Sequence, residues 1–169
     1  MDFSIGEYVM YGTSGICRID GSEEKCFDGV NTSEYIRLIP YTSESSTYYI
    51  PAETIASKVR KLVTEDEIYD IIKRIPTIEI TWDNDNFKRR ELFTGLLKSD
   101  NYDQLFCLIK SVYDQRQKRQ ANGKKLAAAD EKALKTAEQL MCQEFALVLG
   151  IRPDEVTGFI TEKINEHTA

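Results

Sequence analysis

Apolar positions along this chain repeat with two different periods, and the change falls near Lys61. From Phe3 to about Pro51, short runs of β-branched and aromatic residues alternate with polar turn clusters. Residues 4–11 form the first run, which breaks at Gly12-Thr13-Ser14-Gly15 and resumes at Ile16-Cys17-Arg18-Ile19. A second turn cluster, Phe27-Asp28-Gly29-Val30-Asn31, precedes Glu34-Tyr35-Ile36-Arg37-Leu38-Ile39, and Thr47-Tyr48-Tyr49-Ile50 closes the series. Runs of this kind suit pleated, half-buried backbone, so short antiparallel strands are predicted.

Beyond Lys61 the apolar spacing becomes helical. Thr64-Glu65-Asp66-Glu67 is a capping box, in which the Thr64 hydroxyl accepts from the Glu67 amide. It opens a helix near 65–74, with Ile68, Ile71, Ile72 and Ile75 on one face and Pro76 as its stop. A loop carrying Ile78, Ile80 and Trp82 leads to a second helix near 84–98, whose predicted inward set is Phe87, Leu92, Phe93, Leu96 and Leu97. Asp100 is the predicted cap of a third helix of about 20 residues, ended by Gly123. Its stripe is Leu105, Phe106, Leu108, Ile109, Val112 and Tyr113. The fourth, near 128–149, carries Leu134, Ala137, Leu140, Met141, Phe145 and Leu149, with Gly150 as its left-handed terminator. Ala127 stands where a capping hydroxyl is wanted, a loss of about 1 kcal/mol unless Asp130 caps one turn later. Pro153 starts a fifth, with Val156, Phe159, Ile160 and Ile164 inward. The predicted fold class is α+β: a small N-terminal antiparallel β barrel, SH3- or Tudor-like in size, over 1–60, then an α-helical bundle of about five helices over 61–169.

Charge sharpens this division. The chain is −6 overall, yet residues 86–125 hold ten Lys or Arg against four acids, a net of +6. The flanking segments, 1–85 and 126–169, are −8 and −4. Such asymmetry presents an anionic partner with one face only. With 41% hydrophobic and 30% charged residues the composition is that of a folded soluble chain. No apolar run nears the roughly 20 residues that cross a bilayer. The opening Met-Asp-Phe-Ser-Ile-Gly-Glu has no signal-peptide pattern, so a cytoplasmic location is expected.

Candidate chemistry is sparse. Cys17, Cys26, Cys107 and Cys142 are scattered without a Cys-x-x-Cys pair, so reduced thiols and no structural metal are expected. The lone histidine, His167, is close to the C-terminal end, unfavourable for a Cys-His or Ser-His nucleophile. Gly12 and Gly15 lie between strand-like runs with no Lys-Ser/Thr after them, so they form no phosphate loop. Asp83 and Asp85 read as a helix start. No catalysis, cofactor or small-molecule substrate is expected.

Ile5-Gly6-Glu7-Tyr8-Val9-Met10-Tyr11, Ser14-Gly15-Ile16, Tyr35 and Ile50-Pro51 form one motif series. Trp82, Lys88-Arg89-Arg90, Leu97-Lys98-Ser99-Asp100, Gly123-Lys124-Lys125-Leu126, Asp130-Glu131, Ala137-Glu138 and Glu144-Phe145-Ala146-Leu147 form another. In order and spacing the two series resemble the CarD/CdnL family of bacterial transcription regulators. The resemblance implies a Tudor-like N-terminal domain similar to the RNA-polymerase-interacting domain of the transcription-repair coupling factor, docked on the polymerase β subunit. It further implies that the helical domain contacts promoter DNA at the upstream bubble edge and stabilises the open complex. Trp82 would approach the minor groove, and Lys88, Arg89, Arg90, Lys124 and Lys125 would contact the phosphate backbone. Such a factor sits with polymerase on the nucleoid.

On the polymerase side the implied residues are Lys25, Arg37, Tyr48, Tyr49 and Ile50. Lys25 stands where some relatives carry a contacting Arg. Tyr49 occupies another such position, and a tyrosine cannot form an Arg–carboxylate fork. The spacer between Trp82 and Leu97-Lys98-Ser99-Asp100 is longer than in the better-known actinobacterial members. The competing class is an adaptor that binds polymerase and recruits another protein without touching DNA, which the acidic total charge favours.

Overall fold

The computed structural model describes residues 3–168. The chain divides after Leu62 into two compact units, each with its own apolar core.

Five antiparallel strands build the first unit: β1 (Tyr8–Met10), β2 (Ile16–Lys25), β3 (Ser33–Pro40), β4 (Tyr48–Pro51) and β5 (Arg60–Lys61). Their order across the sheet is β4-β3-β2-β1-β5. One turn of helix, α1 (Ile55–Lys58), lies between β4 and β5. Alternation sends Val9, Cys17, Ile19, Ile36, Leu38 and Ile50 into a core completed by Ile55 and Val59. Their strand neighbours Arg18, Tyr35, Arg37 and Tyr49 consequently take the opposite face. A bulge between Ile19 and Gly21 shifts the β2–β3 register.

The expected barrel is corrected to an open sheet, with β4 and β5 as its edges. These strands have four and two residues, too little backbone to pair across and close the ring. Neither β5 nor the extension of β2 to Lys25 was predicted. Ser22-Glu23-Glu24-Lys25 has no apolar alternation, and its strand form is set by register with Ser33–Ile36 of β3.

The second unit packs five helices: α2 (Glu65–Arg74), α3 (Asn86–Lys98), α4 (Tyr102–Ala121), α5 (Ala128–Leu149) and α6 (Val156–Thr168). Ile68, Ile72, Leu108, Val112, Leu134, Phe145 and Val156 are at its centre. Glu144 is fully buried there but satisfied, accepting from the Tyr102 hydroxyl at 2.6 Å and the Val63 amide at 2.7 Å. Thr64 and Asp85 cap α2 and α3, accepting from the Glu67 and Lys88 amides. Gly150, at φ 70°, ends α5.

Three expectations about this unit are corrected. Asn101, not Asp100, caps α4 by accepting from the Asp103 and Gln104 amides, while Asp100 takes a left-handed φ of 55° just outside the helix. Phe87 and Leu92 are 68% and 37% exposed rather than inward. Arg89 and Phe93, one turn apart, hold the buried stripe of α3, and this sets the helix rotation that turns Phe87 outward. Finally, α5 has no side-chain cap at Ala127, because the Asp130 carboxylate is directed to Arg89 and not to the α5 amides.

Candidate functional site

The outer face of the sheet collects charged and aromatic side chains by register alone. Gly21, Arg37 and Tyr49 stand side by side, with Glu23, Tyr35 and Pro51 in the next row and Lys25 and Ser33 beyond. A Cβ at Gly21 would lie 3.0 Å from the Arg37 guanidinium, so glycine allows that side chain to cross β2. Arg37 Nε donates to Asp20 at 3.0 Å, and Nη1 lies 3.4 Å from Glu23. Hydrogen bonds from Arg37, then Arg18, hold the Asp20 carboxyl below its usual range, and Asp20 in turn raises the Arg37 guanidinium. Lys25 lies 3.9 Å from Glu23 and 4.9 Å from the Tyr49 ring centroid.

Phe27, which sequence reasoning assigned to a turn, belongs to this surface. It is exposed, meets Tyr35 edge-on at 5.0 Å and lies 6.0 Å from Tyr49. Its turn is tied by the Asp28 carboxylate, which accepts from the Val30 and Asn31 amides. The Gly/Asp/Asn signal of that turn hid the aromatic inside it. The five expected docking residues do not form one patch. Lys25, Arg37 and Tyr49 are together; Ile50 is 6% exposed in the core, and Tyr48 stacks edge-on with Tyr11 at 5.4 Å on the other face. Ile50 can therefore contribute only its backbone, along an edge strand paired on one side by β3.

In the second unit, Trp82 lies on an irregular segment between the turn after α2 and the cap of α3, and side chains of α3 and α4 fasten it. Lys110 Nζ donates to the Ile75 and Ile78 carbonyls at 2.8 and 2.5 Å. Ser111 Oγ accepts from the Thr81 amide at 2.9 Å while donating to Cys107 O. Arg89 Nη1 donates to Asp83 O at 2.8 Å. The indole is half-buried, meeting Phe93 edge-on at 6.0 Å, with the Arg89 guanidinium 4.4 Å from its centroid.

Arg89 is not the surface contact expected of it. Its residue is 3% exposed, and Nε and Nη2 fork onto the Asp130 carboxylate at 2.9 and 2.8 Å. Nη2 also donates to Asn86 at 2.8 Å. Four further members of the basic stretch have local duties: Lys110 at its carbonyls, Arg116 with Glu131, Lys118 with Asp114, and Arg119 at the Lys125 carbonyl. Lys88, Arg90, Lys124 and Lys125 are exposed. Lys125 precedes Asp130 by five positions, at most about 18 Å of chain. The Arg89–Asp130 fork therefore keeps both pairs of cations near one end of the bundle. Asp83 and Asp85 occupy the same end.

The first unit thus presents an open sheet with an aromatic, charged face and an edge strand paired on one side only, and the second a helical bundle with exposed cations near the starts of α3 and α5. Residues 3–63 match the CarD-like/TRCF RID domain family, where RID denotes an RNA-polymerase-interacting domain. Over these residues, about a third of the chain, the sequence is similar to that family, as the N-terminal motifs lead one to expect. No curated protein matches the chain.

Proposed function

We propose that this protein is a transcription initiation factor that binds the RNA polymerase β subunit and stabilises the promoter open complex. The match of residues 3–63 to an RNA-polymerase-interacting domain family carries the reading. The β4 edge supports docking by strand addition, in which backbone hydrogen bonds supply affinity and neighbouring side chains supply specificity. Lys25, Phe27, Arg37 and Tyr49 are the side chains placed for that second role.

The bundle, on this reading, touches DNA at the upstream bubble edge without reading its sequence. Lys88, Arg90, Lys124 and Lys125 contact phosphates, and Trp82 braces the unstacked step in the minor groove. Tethering to polymerase raises the effective concentration of so small a basic surface, which is how a chain of net charge −6 acts on DNA. The factor acts by binding alone, with no bond made or broken, in the cytoplasm and on the nucleoid. No described helix is long and apolar enough to cross a membrane.

Open and closed complexes lie close in energy, so about 1.4 kcal/mol from Trp82 shifts the balance tenfold. Trp82→Ala is expected to shorten open-complex lifetime by about that factor while polymerase binding is unchanged. An unaltered lifetime would remove the bracing role. A second reading, an adaptor whose bundle recruits a protein, is favoured by Asp83 and Asp85 beside Trp82. Binding of fork-junction DNA that weakens with added salt excludes the adaptor; no binding at low salt supports it.

A further inference from the structure

We propose that Arg89 is a positioning residue: it presets the attitude of the Trp82 indole, with Ser111 in support, and does not itself contact DNA. The inference rests on the reading of Trp82 as the side chain that meets melted DNA. Trp82 stands on backbone without helix or strand, and ordering such backbone on binding costs conformational entropy at every residue fixed. The structure avoids that loss by ordering the segment beforehand. Thr81 is anchored through its amide to Ser111, and Asp83 through its carbonyl to Arg89, so the residues on both sides of Trp82 are held.

The chemistry of a guanidinium explains why arginine stands there. Its donors lie in one plane as a rigid fork, and its flat face stacks on aromatic rings. Arg89 uses both properties. The in-plane donors reach Asp130, Asn86 and Asp83 O, while the carbon of the guanidinium lies 4.4 Å from the indole centroid. Asp130 belongs to the first turn of α5 and Arg89 to α3, so the indole is referenced to two packed helices rather than to its own loop. Burial shields the fork from salt. The clamp therefore persists at ionic strengths that weaken phosphate contacts from Lys88 and Arg90. A lysine keeps the charge but lacks the fork and the flat face.

Trp82 is the only tryptophan, so its fluorescence reports directly on the clamp in the full-length protein. In Arg89→Lys, acrylamide quenching of Trp82 is expected to rise about twofold with helix content and polymerase affinity unchanged. Open-complex lifetime should fall by most of the Trp82→Ala effect, and Arg89→Lys combined with Trp82→Ala should be no worse than Trp82→Ala alone. Unchanged quenching, or losses that add in the double variant, would overturn the proposal. If Arg89→Lys does not fold, Ser111→Ala removes the Thr81 anchor together with the hydroxyl's bond to Cys107 O inside α4, and is read the same way; an unmoved indole there overturns it equally. Should Trp82→Ala itself leave lifetime unaltered, the bracing function fails, while the quenching data still decide whether Arg89 orients the indole.

Discussion

Removing the Asp130 carboxylate tests whether the α3–α5 joint is electrostatic or merely packed. Arg89 and Asp130 are 3% and 1% exposed, and the fork between them is bidentate at 2.8–2.9 Å. In Asp130→Ala, Arg89 keeps Asp83 O and Asn86, but its Nε and one Nη2 direction face a site closed to water. Breaking one side of a buried pair costs about 3–5 kcal/mol, because the remaining charge is left desolvated. At roughly 4–8 °C per kcal/mol for a domain of this size, the lower figure moves the midpoint down by at least about 12 °C. Thermal and urea unfolding followed by Trp82 emission measures this directly, since the indole belongs to the helical unit. A loss below about 1 kcal/mol would refute the reasoning, placing the fork with exposed ion pairs. Arg89→Met with Asp130→Leu is the paired control. Removing both charges should restore most of the stability, yet Trp82 should stay loosened because its guanidinium cover is gone.

Two predictions concern the sheet unit. Arg37 and Arg18 hold the Asp20 carboxyl below its ordinary value of 3.8, so its contribution is complete above that value and is lost as pH falls through the lower folded one. Asp20→Asn should flatten the acid limb of the stability–pH curve in that window; an unaltered limb would show that the Arg37 pair does not act on folding. Burial pushes the Cys17 thiol up to about 11, whereas Cys26 is exposed. Iodoacetamide at pH 8 should therefore label Cys26 and spare Cys17, read by peptide mass spectrometry, and equal labelling would mean the sheet core opens readily.

Local rules made much of the bundle legible. The Thr64 cap, the left-handed Gly150 and the span of α5 depend on residues within a turn or two of each other, and the pattern shows them directly. The same rules missed by one residue at Asp100, where Asn101 had an equally suitable side chain and the better position. The outward turn of Phe87 was not legible, because a period of 3.6 cannot tell which of two adjacent stripes will be buried. A charged residue, Arg89, took the inward stripe, against the ordinary preference for apolar side chains.

The sequence by itself determined the succession of the four longer strands and the five longer helices, most helix ends and the concentration of cations after residue 85. These follow from backbone preferences and short-range hydrogen bonds. Only tertiary structure decided which cations remain available. Arg89 and Asp130 are 41 positions apart, and nothing local to either announces the other. Whether a guanidinium faces water or closes on a carboxylate depends on helix packing, since burial makes pairing obligatory and exposure makes it nearly worthless. For the same reason the sheet sorted Lys25, Arg37 and Tyr49 from Tyr48 and Ile50: strand register, not residue type, chose their faces.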